Sequence, residues 1–323
     1  MGEFPLTKIQ LSQHLAAVVV PFDEDDRIDE EEFRRVCRHV LGYAGITGVV
    51  VNAHAGEVDL LSTVERVRLV EIARQEAHAL SRTVISGVVP VPGSTVGAIS
   101  EAQAMEAAGA DGLLLLGPGS FGRGVEFVPE VAESYTRAVA GNVKIPITYF
   151  ISGALSGINH TPEVVRRICS VDGVVGVKDT MWSPIGFDTN LRIYRTQDKS
   201  FDVLSGNDNC VFYNFIAGAD GSLLILNCVI GDQVSRMFDL VKSGNISEAR
   251  EIHLKYEKLV GMLFDKPMIR MATRHKYILR HLGVISSVRT RAPMPDIDSG
   301  EQARLLDEVD RLGLVSSLKH RVA

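Results

Sequence analysis

One phrase recurs along the chain and restricts the possible folds more than any other feature: YAGITGVVV at 43–51, AGADGLLLL at 108–116, SVDGVVGVK at 170–178 and AGADGSLLIL at 217–226. Each is a turn containing Gly or Asp that runs into a continuously apolar stretch, as in strands buried on both faces of a parallel sheet. Gly45, Gly109 and Gly218 are expected at the left-handed position that ends a preceding helix. Between these phrases lie RTVISGVV at 82–89, KIPITYF at 144–150 and FDVLSG at 201–206, and HLAAVVVPF at 14–22 precedes them all, for a total of eight strand candidates.

Helix signals fill the gaps. Asp29 with Glu32, and Ser62 with Glu65, have capping-box spacing, and Thr161-Pro162 sets an N-cap before a proline at the first helical position. Strand and helix therefore alternate eight times, which predicts an α/β fold of the (β/α)₈ TIM-barrel type. The acidic run DEDDRIDEEE at 23–32 reads as a solvated helix start favoured by the helix dipole. Beyond residue 242 the pattern turns helical: ISEAREIHLKYEKLVGMLF, MIRMATRHKYILRHLG and GEQARLLDEVDRLG, with the proline-containing connector SVRTRAPMPDID between the last two. No linker rich in Gly, Ser or Pro separates this part, so the expectation is a barrel over 1–242 with a C-terminal helical appendage over 243–323 packed on it.

Composition narrows the partners. The 323 residues are 46% hydrophobic and 23% charged with a net charge of −6, a globular balance that argues against a nucleic-acid or anionic-membrane surface and for a small-molecule partner. Cys37, Cys169, Cys210 and Cys228 show neither C-x-x-C pairing nor zinc-finger spacing and read as reduced core thiols, with no metal site. MGEFPLTKIQLSQ has no signal-peptide pattern, and no apolar run approaches the ~18 residues of a membrane helix, so a cytoplasmic protein is expected.

GVVGVKDT at 173–180 ends an apolar strand in Lys178. Barrel chemistry sits at the C-terminal ends of the strands, and Lys178 ends the sixth. Partial loss of water there lowers an amine's pKa and leaves more neutral nucleophile to attack a carbonyl carbon, which is Schiff-base chemistry. A lysine paired with Asp179, or snorkelling at the rim, fits the position equally well.

With Lys178 placed, the chain resembles the pyruvate-dependent class I aldolase superfamily of dihydrodipicolinate synthase and N-acetylneuraminate lyase over nearly its whole length. VVVPFDEDDRIDEEEF is similar to the family opening, GEVDLLSTVER to its Gly-Glu motif and following helix, IPITYFISGALSG to the fifth strand and loop, GVVGVKDT to the Schiff-base strand, LSGND to the seventh strand, and KYILRHLG to the late helix. The resemblance implies an imine at Lys178, a 2-oxo acid substrate, no metal or organic cofactor, and a homo-oligomer, either a dimer or a tetramer.

Three departures bear on function. The family's Gly-Thr-Thr-Gly-Glu reads Ala53-His54-Ala55-Gly56-Glu57. Relatives hold the substrate carboxylate there through backbone N–H groups, which implies an anchor at Ala55 and Gly56. His54 either carries protons, since imidazole can give and take them near neutral pH, or hydrogen-bonds for structure alone. Counting from Pro146 puts Phe150 where the family's catalytic tyrosine stands, with Tyr149 one residue early. Strand alternation turns Phe150 to the pocket and Tyr149 away unless a bulge intervenes. The family's Pro-Tyr-Tyr reads Pro118-Gly119-Ser120, so the tyrosine relay of relatives cannot be copied; GPGSFGRG reads as a flexible loop that admits substrate, with Arg123 solvated.

The resemblance implies that the turn at Ser205 and Asn207 binds substrate, while Asp208 is expected to serve the turn as an N-cap and Trp182 fits a pocket wall and a surface anchor equally. The expected function is a Schiff-base lyase, aldolase or dehydratase, acting on a 2-oxo acid of the 2-oxo-3-deoxy sugar-acid class. The alternatives are a condensation of the dihydrodipicolinate synthase type and a non-catalytic binder of 2-oxo acids.

Overall fold

Eight parallel strands pair in chain order and close on themselves in a computed structural model that describes residues 13–89, 93–153, 157–197 and 200–315. They are β1 His14–Ala17, β2 Ile46–Val51, β3 Thr83–Val88, β4 Gly112–Leu115, β5 Ile147–Ser152, β6 Val174–Thr180, β7 Asp202–Ser205 and β8 Gly221–Leu224. The helices that return the chain are α1 Glu30–Leu41, α2 Thr63–His78, α3 Thr95–Ala108, α4 Pro129–Ala140, α5 Pro162–Cys169, α6 Pro184–Tyr194, α7 Val211–Ala217 and α8 Asn227–Lys242. The strands are mostly apolar and buried because one face fills the barrel and the other meets the helices. None of the described helices is long and apolar enough to cross a membrane.

The helix starts follow the capping chemistry in part. Ser62 and Glu65 form a reciprocal capping box at α2, whereas Asp29 caps the Glu32 amide of α1 without reciprocation. The Glu32 carboxylate is drawn away to the Ser286 amide at 2.6 Å. Thr161 stands at the N-cap of α5 ahead of Pro162, but its side chain makes no capping bond. Gly109 and Gly218 end their helices with φ of 96° and 112° as expected. Gly45 does not: α1 stops at Gly42 in a right-handed conformation. Gly45 is needed for close packing, since a Cβ there would lie 1.9 Å from Ser235 Oγ. Of the cysteines, Cys37, Cys169 and Cys228 are buried and Cys210 is only half-buried, so it is not a core thiol; all four are free.

Register fixes what faces the barrel axis. Phe150 pairs with Lys178 and Tyr149 with Val177 between β5 and β6. Phe150 and Lys178 therefore point inward together, while Tyr149 and Asp179 point out to the helices. Asp179 accepts hydrogen bonds from Tyr194 Oη at 2.7 Å and Asn190 Nδ2 at 2.9 Å, both on α6.

The chain continues as α9 Ile246–Leu263, α10 Met271–His281 and α11 Ser299–Arg311. Helix α9 packs on α8, and α10 packs on the turn after β2. Lys276 of α10 and Glu57 of that turn form an ion pair that is almost completely buried, and Lys276 Nζ also donates to the Arg289 carbonyl at 2.8 Å. Arg291 in the following connector bonds the Glu65 carboxylate and the Leu60 carbonyl, the latter at 3.0 Å. The appendage is thus tied by charge to the loop that carries His54.

Candidate active site

A cavity of about 590 Å³ opens at the C-terminal ends of the strands, with Lys178 in its wall. The lysine is 9% exposed, and its Nζ lies 5.0 Å from the centroid of the Phe150 ring. The register of β5 on β6 brings these side chains together, because Cα partners on parallel strands project to the same face. Asp179 does not pair with it; that carboxylate is engaged on the outer face. Burial pulls the Lys178 pKa down to about 8, opposed by the charge of Asp208. The turn after β7 lies directly on the lysine stem, since a Cβ on Gly206 would come within 2.6 Å of Lys178 Cγ. A larger residue there would displace the amine.

His54 also packs on Phe150, edge-on to its ring with centroids 5.4 Å apart. It opens a short 3₁₀ turn, His54–Gly56, which sits between Asn52 and Glu57, both at positive φ. Asn52 is braced by its side chain, which donates to Ser86 Oγ at 2.9 Å and to the Arg66 carbonyl at 3.1 Å. Glu57 is held by Lys276. The imidazole is surrounded by the walls of the site yet remains accessible through the open cavity. Its pKa is lowered, first by the surrounding protein, then by the Lys178 charge, with Asp59 opposing. The ring is therefore a neutral base near pH 7.

A sequence profile described as the Dihydrodipicolinate synthetase family matches residues 10–312. The chain belongs to that family. It is 30% identical over 254 residues, 77% of this chain and 82% of the relative, to the 4-hydroxy-tetrahydrodipicolinate synthase of Kosmotoga olearia. To the enzyme of the same name from Methanosarcina barkeri it is 26% identical over 307 residues, covering 93% and 98% of the two chains. The dihydrodipicolinate synthase of Thermotoga maritima shares the fold, with a TM-score of 0.83 at 24% identity over 94% of this chain and 99% of that one. The chain is accordingly an enzyme, a carbon–carbon or carbon–oxygen lyase of the class I aldolase type.

In this member of the dihydrodipicolinate synthetase family the lysine is faced by a phenylalanine. Phe150 lines the cavity, and Tyr149 lies wholly outside it. The Tyr149 hydroxyl is buried behind Gly117, where a Cβ would come within 3.2 Å of it, and burial pushes its pKa up. Ala55 lines the cavity, but Gly56 does not: its N–H closes the turn on the Ala53 carbonyl at 2.9 Å and is not free for a carboxylate. Ser205 also departs from its expected place. It pairs with outward-facing Asp179, and its Oγ accepts from Asn214 on α7 at 2.9 Å, away from the cavity.

Asn207 is in the wall, but its side chain braces the turn, donating to the Met181 carbonyl at 3.1 Å and accepting from the Asn209 amide at 3.0 Å. Trp182 lines the cavity, and Arg123 is exposed beyond it.

Other groups enter that the sequence pattern did not mark. Asp208 faces the cavity and is tied by the Leu226 amide at 2.9 Å, so it is more than a turn residue. Phe264, Met268, Ile269, Met271 and Met294 line the mouth from the appendage. Methionines 268, 271 and 294, grouped around the KYILRHLG helix, were the available signal. Among the described residues no group of three or more His, Cys, Asp or Glu side chains is arranged to hold a metal ion.

Proposed function

We propose that the protein is a Schiff-base lyase in which neutral Lys178 attacks the C2 carbonyl of a 2-oxo acid. The supporting observation is a buried lysine, unpaired among the described residues, whose pKa lies near 8, where neutral amine is available at physiological pH. The resulting iminium withdraws electrons from C3 and stabilises the carbanion or enamine produced when a C–C bond cleaves or a proton leaves. His54 takes or returns that proton, a role suited to its neutral ring and to the absence of a phenol at position 150. Ala55 contributes to the carboxylate end of the site, and Asn207 shapes the opposite wall.

The substrate we favour is a 2-oxo-3-deoxy sugar acid, because the site departs from the family at both threonines and both tyrosine positions while keeping a roomy cavity. Condensation of the dihydrodipicolinate synthase type is the second reading, and the names of the relatives favour it. Borohydride trapping with pyruvate, followed by peptide mass analysis, tests the imine; an unmodified Lys178 in folded protein at saturating pyruvate removes the whole reading. Turnover of a panel of 2-oxo-3-deoxy sugar acids against pyruvate plus aspartate semialdehyde decides between the substrates. His54→Gln should trap normally but lose on the order of 10²-fold in turnover, and near-normal turnover would reduce His54 to a structural part.

A further inference from the structure

We propose that Asp208 is the acid that expels water as the imine forms, so that Lys178 and Asp208 trade a single proton across the cavity. This role presupposes imine formation at Lys178. Both side chains are buried and line the same cavity, and neither is bound to the other by a direct ion pair among the described residues. Asp208 Oδ1 is fixed by the Leu226 amide, which holds the carboxyl in place whether or not it is charged. Gly206 seats this turn on the lysine stem, so the two groups cannot drift apart independently.

The other ionisable groups of the cavity are otherwise occupied. Glu57 belongs to Lys276, Asp59 is exposed at the mouth, and His160 is turned onto Ser152, accepting from its amide at 3.1 Å. His54 shares the Phe150 ring with Lys178 and feels the lysine's charge. Behind Asp208, a second cavity of about 250 Å³ presents His253 and Glu257 of α9, and Cys228 of α8 lies within its field.

The chemistry balances. A neutral Lys178 amine adds to the C2 carbonyl and, after proton transfer from nitrogen to oxygen, gives a neutral carbinolamine. Loss of its hydroxyl as water requires one proton, supplied by the Asp208 carboxylic acid. The products are the iminium cation, water and the Asp208 carboxylate. Net charge in the cavity, the substrate carboxylate included, is the same before and after, and the new iminium cation forms together with a counter-charge on Asp208 rather than as an isolated ion in a poorly solvated site. Hydrolysis of the product iminium runs the step backwards and returns the proton to Asp208.

The electrostatics suit the exchange. Burial raises the Asp208 pKa to about 7, while Lys178 is lowered to about 8, so one proton held by the pair has two nearly matched homes. In an ordinary exposed pair the lysine would keep that proton by roughly six pH units.

Asp208→Asn keeps the acceptor for the Leu226 amide but cannot give a proton. The rate of borohydride-trapped imine formation from pyruvate in the wild type should be bell-shaped, with limbs near the two transitions. In the variant it should fall on the order of 10²-fold or more, reach the same final adduct mass and lose the limb that belongs to Asp208. Wild-type protein that fails to trap overturns the Schiff-base reading itself. Wild type that traps, with a variant of equal rate and unchanged pH profile, overturns the role of Asp208 alone.

That role also falls if Asp208→Ala is impaired while Asp208→Asn is normal, because Asp208 would then only brace the turn.

Discussion

Two lysines are buried among the described residues, and they have opposite company. Lys178, near the end of β6, sits 5.0 Å from a phenylalanine ring and has no hydrogen-bond or ion-pair partner among the described residues. Lys276, on α10, sits 4.6 Å from the ring of Phe22 and is bound by both the Glu57 carboxylate and the Arg289 carbonyl. Burial lowers the pKa of both. What separates them is the partner. A lysine whose charge is satisfied on every side is a strut, while one left unsatisfied next to an open cavity gives up its proton and becomes a nucleophile.

The largest effect that separates them is loss of chemistry. Lys178→Met should abolish reductive trapping and turnover while melting at the wild-type temperature or above it, because an uncompensated buried amine is replaced by an apolar chain. A Lys178→Met protein that still traps pyruvate at another lysine would break the comparison outright. Next in size, Lys276→Met strands the Glu57 carboxylate and should cost about 3–5 kcal/mol in denaturant unfolding. Near-normal stability in that variant would mean that Lys276 is no strut.

The pH dependence of stability should also divide them. The folded-state pKa of Lys178 lies near 8 and its unfolded value near 10.5, so the unfolded chain binds more protons across that interval. Wild-type stability, taken relative to Lys178→Met, should therefore rise from about pH 8 to about pH 10.5. A flat difference in melting temperature over that window would show that Lys178 is solvated. The smallest effect is expected at Tyr149→Phe, since the hydroxyl lies outside the cavity; turnover should change less than about twofold. A loss of the 10²–10⁴-fold magnitude typical of acid–base groups would return the proton transfer to that phenol.

Much of the fold was legible because it rests on local rules. Continuous apolar runs after Gly or Asp turns marked four strands, the candidates between and before them marked the other four, and the spacing from Pro146 gave the inward face to Phe150. Lys178 was legible as a charge where a buried strand ends. The failures have a common cause in long-range contacts. Gly45 looks like a helix terminator, yet its lack of a side chain answers to Ser235, far along the chain. Ser205 lies one residue from the inward-facing end of β7, and strand alternation sends its hydroxyl to Asn214. The surroundings of Asp208 depend on the Leu226 amide after the next strand, and the pairing of Glu57 depends on a helix more than two hundred residues away.

The appendage gives the cavity mouth Met268, Ile269, Met271 and Met294 from a stretch of chain that supplies no strand. The lysine and part of the cavity mouth are consequently carried on different segments. Recombination near the end of the gene could exchange the rim as a unit while the lysine strand passes unchanged, and flexible thioether side chains would tolerate the first imperfect fits. A lineage built this way could sample new molecules without relearning how to make the covalent bond.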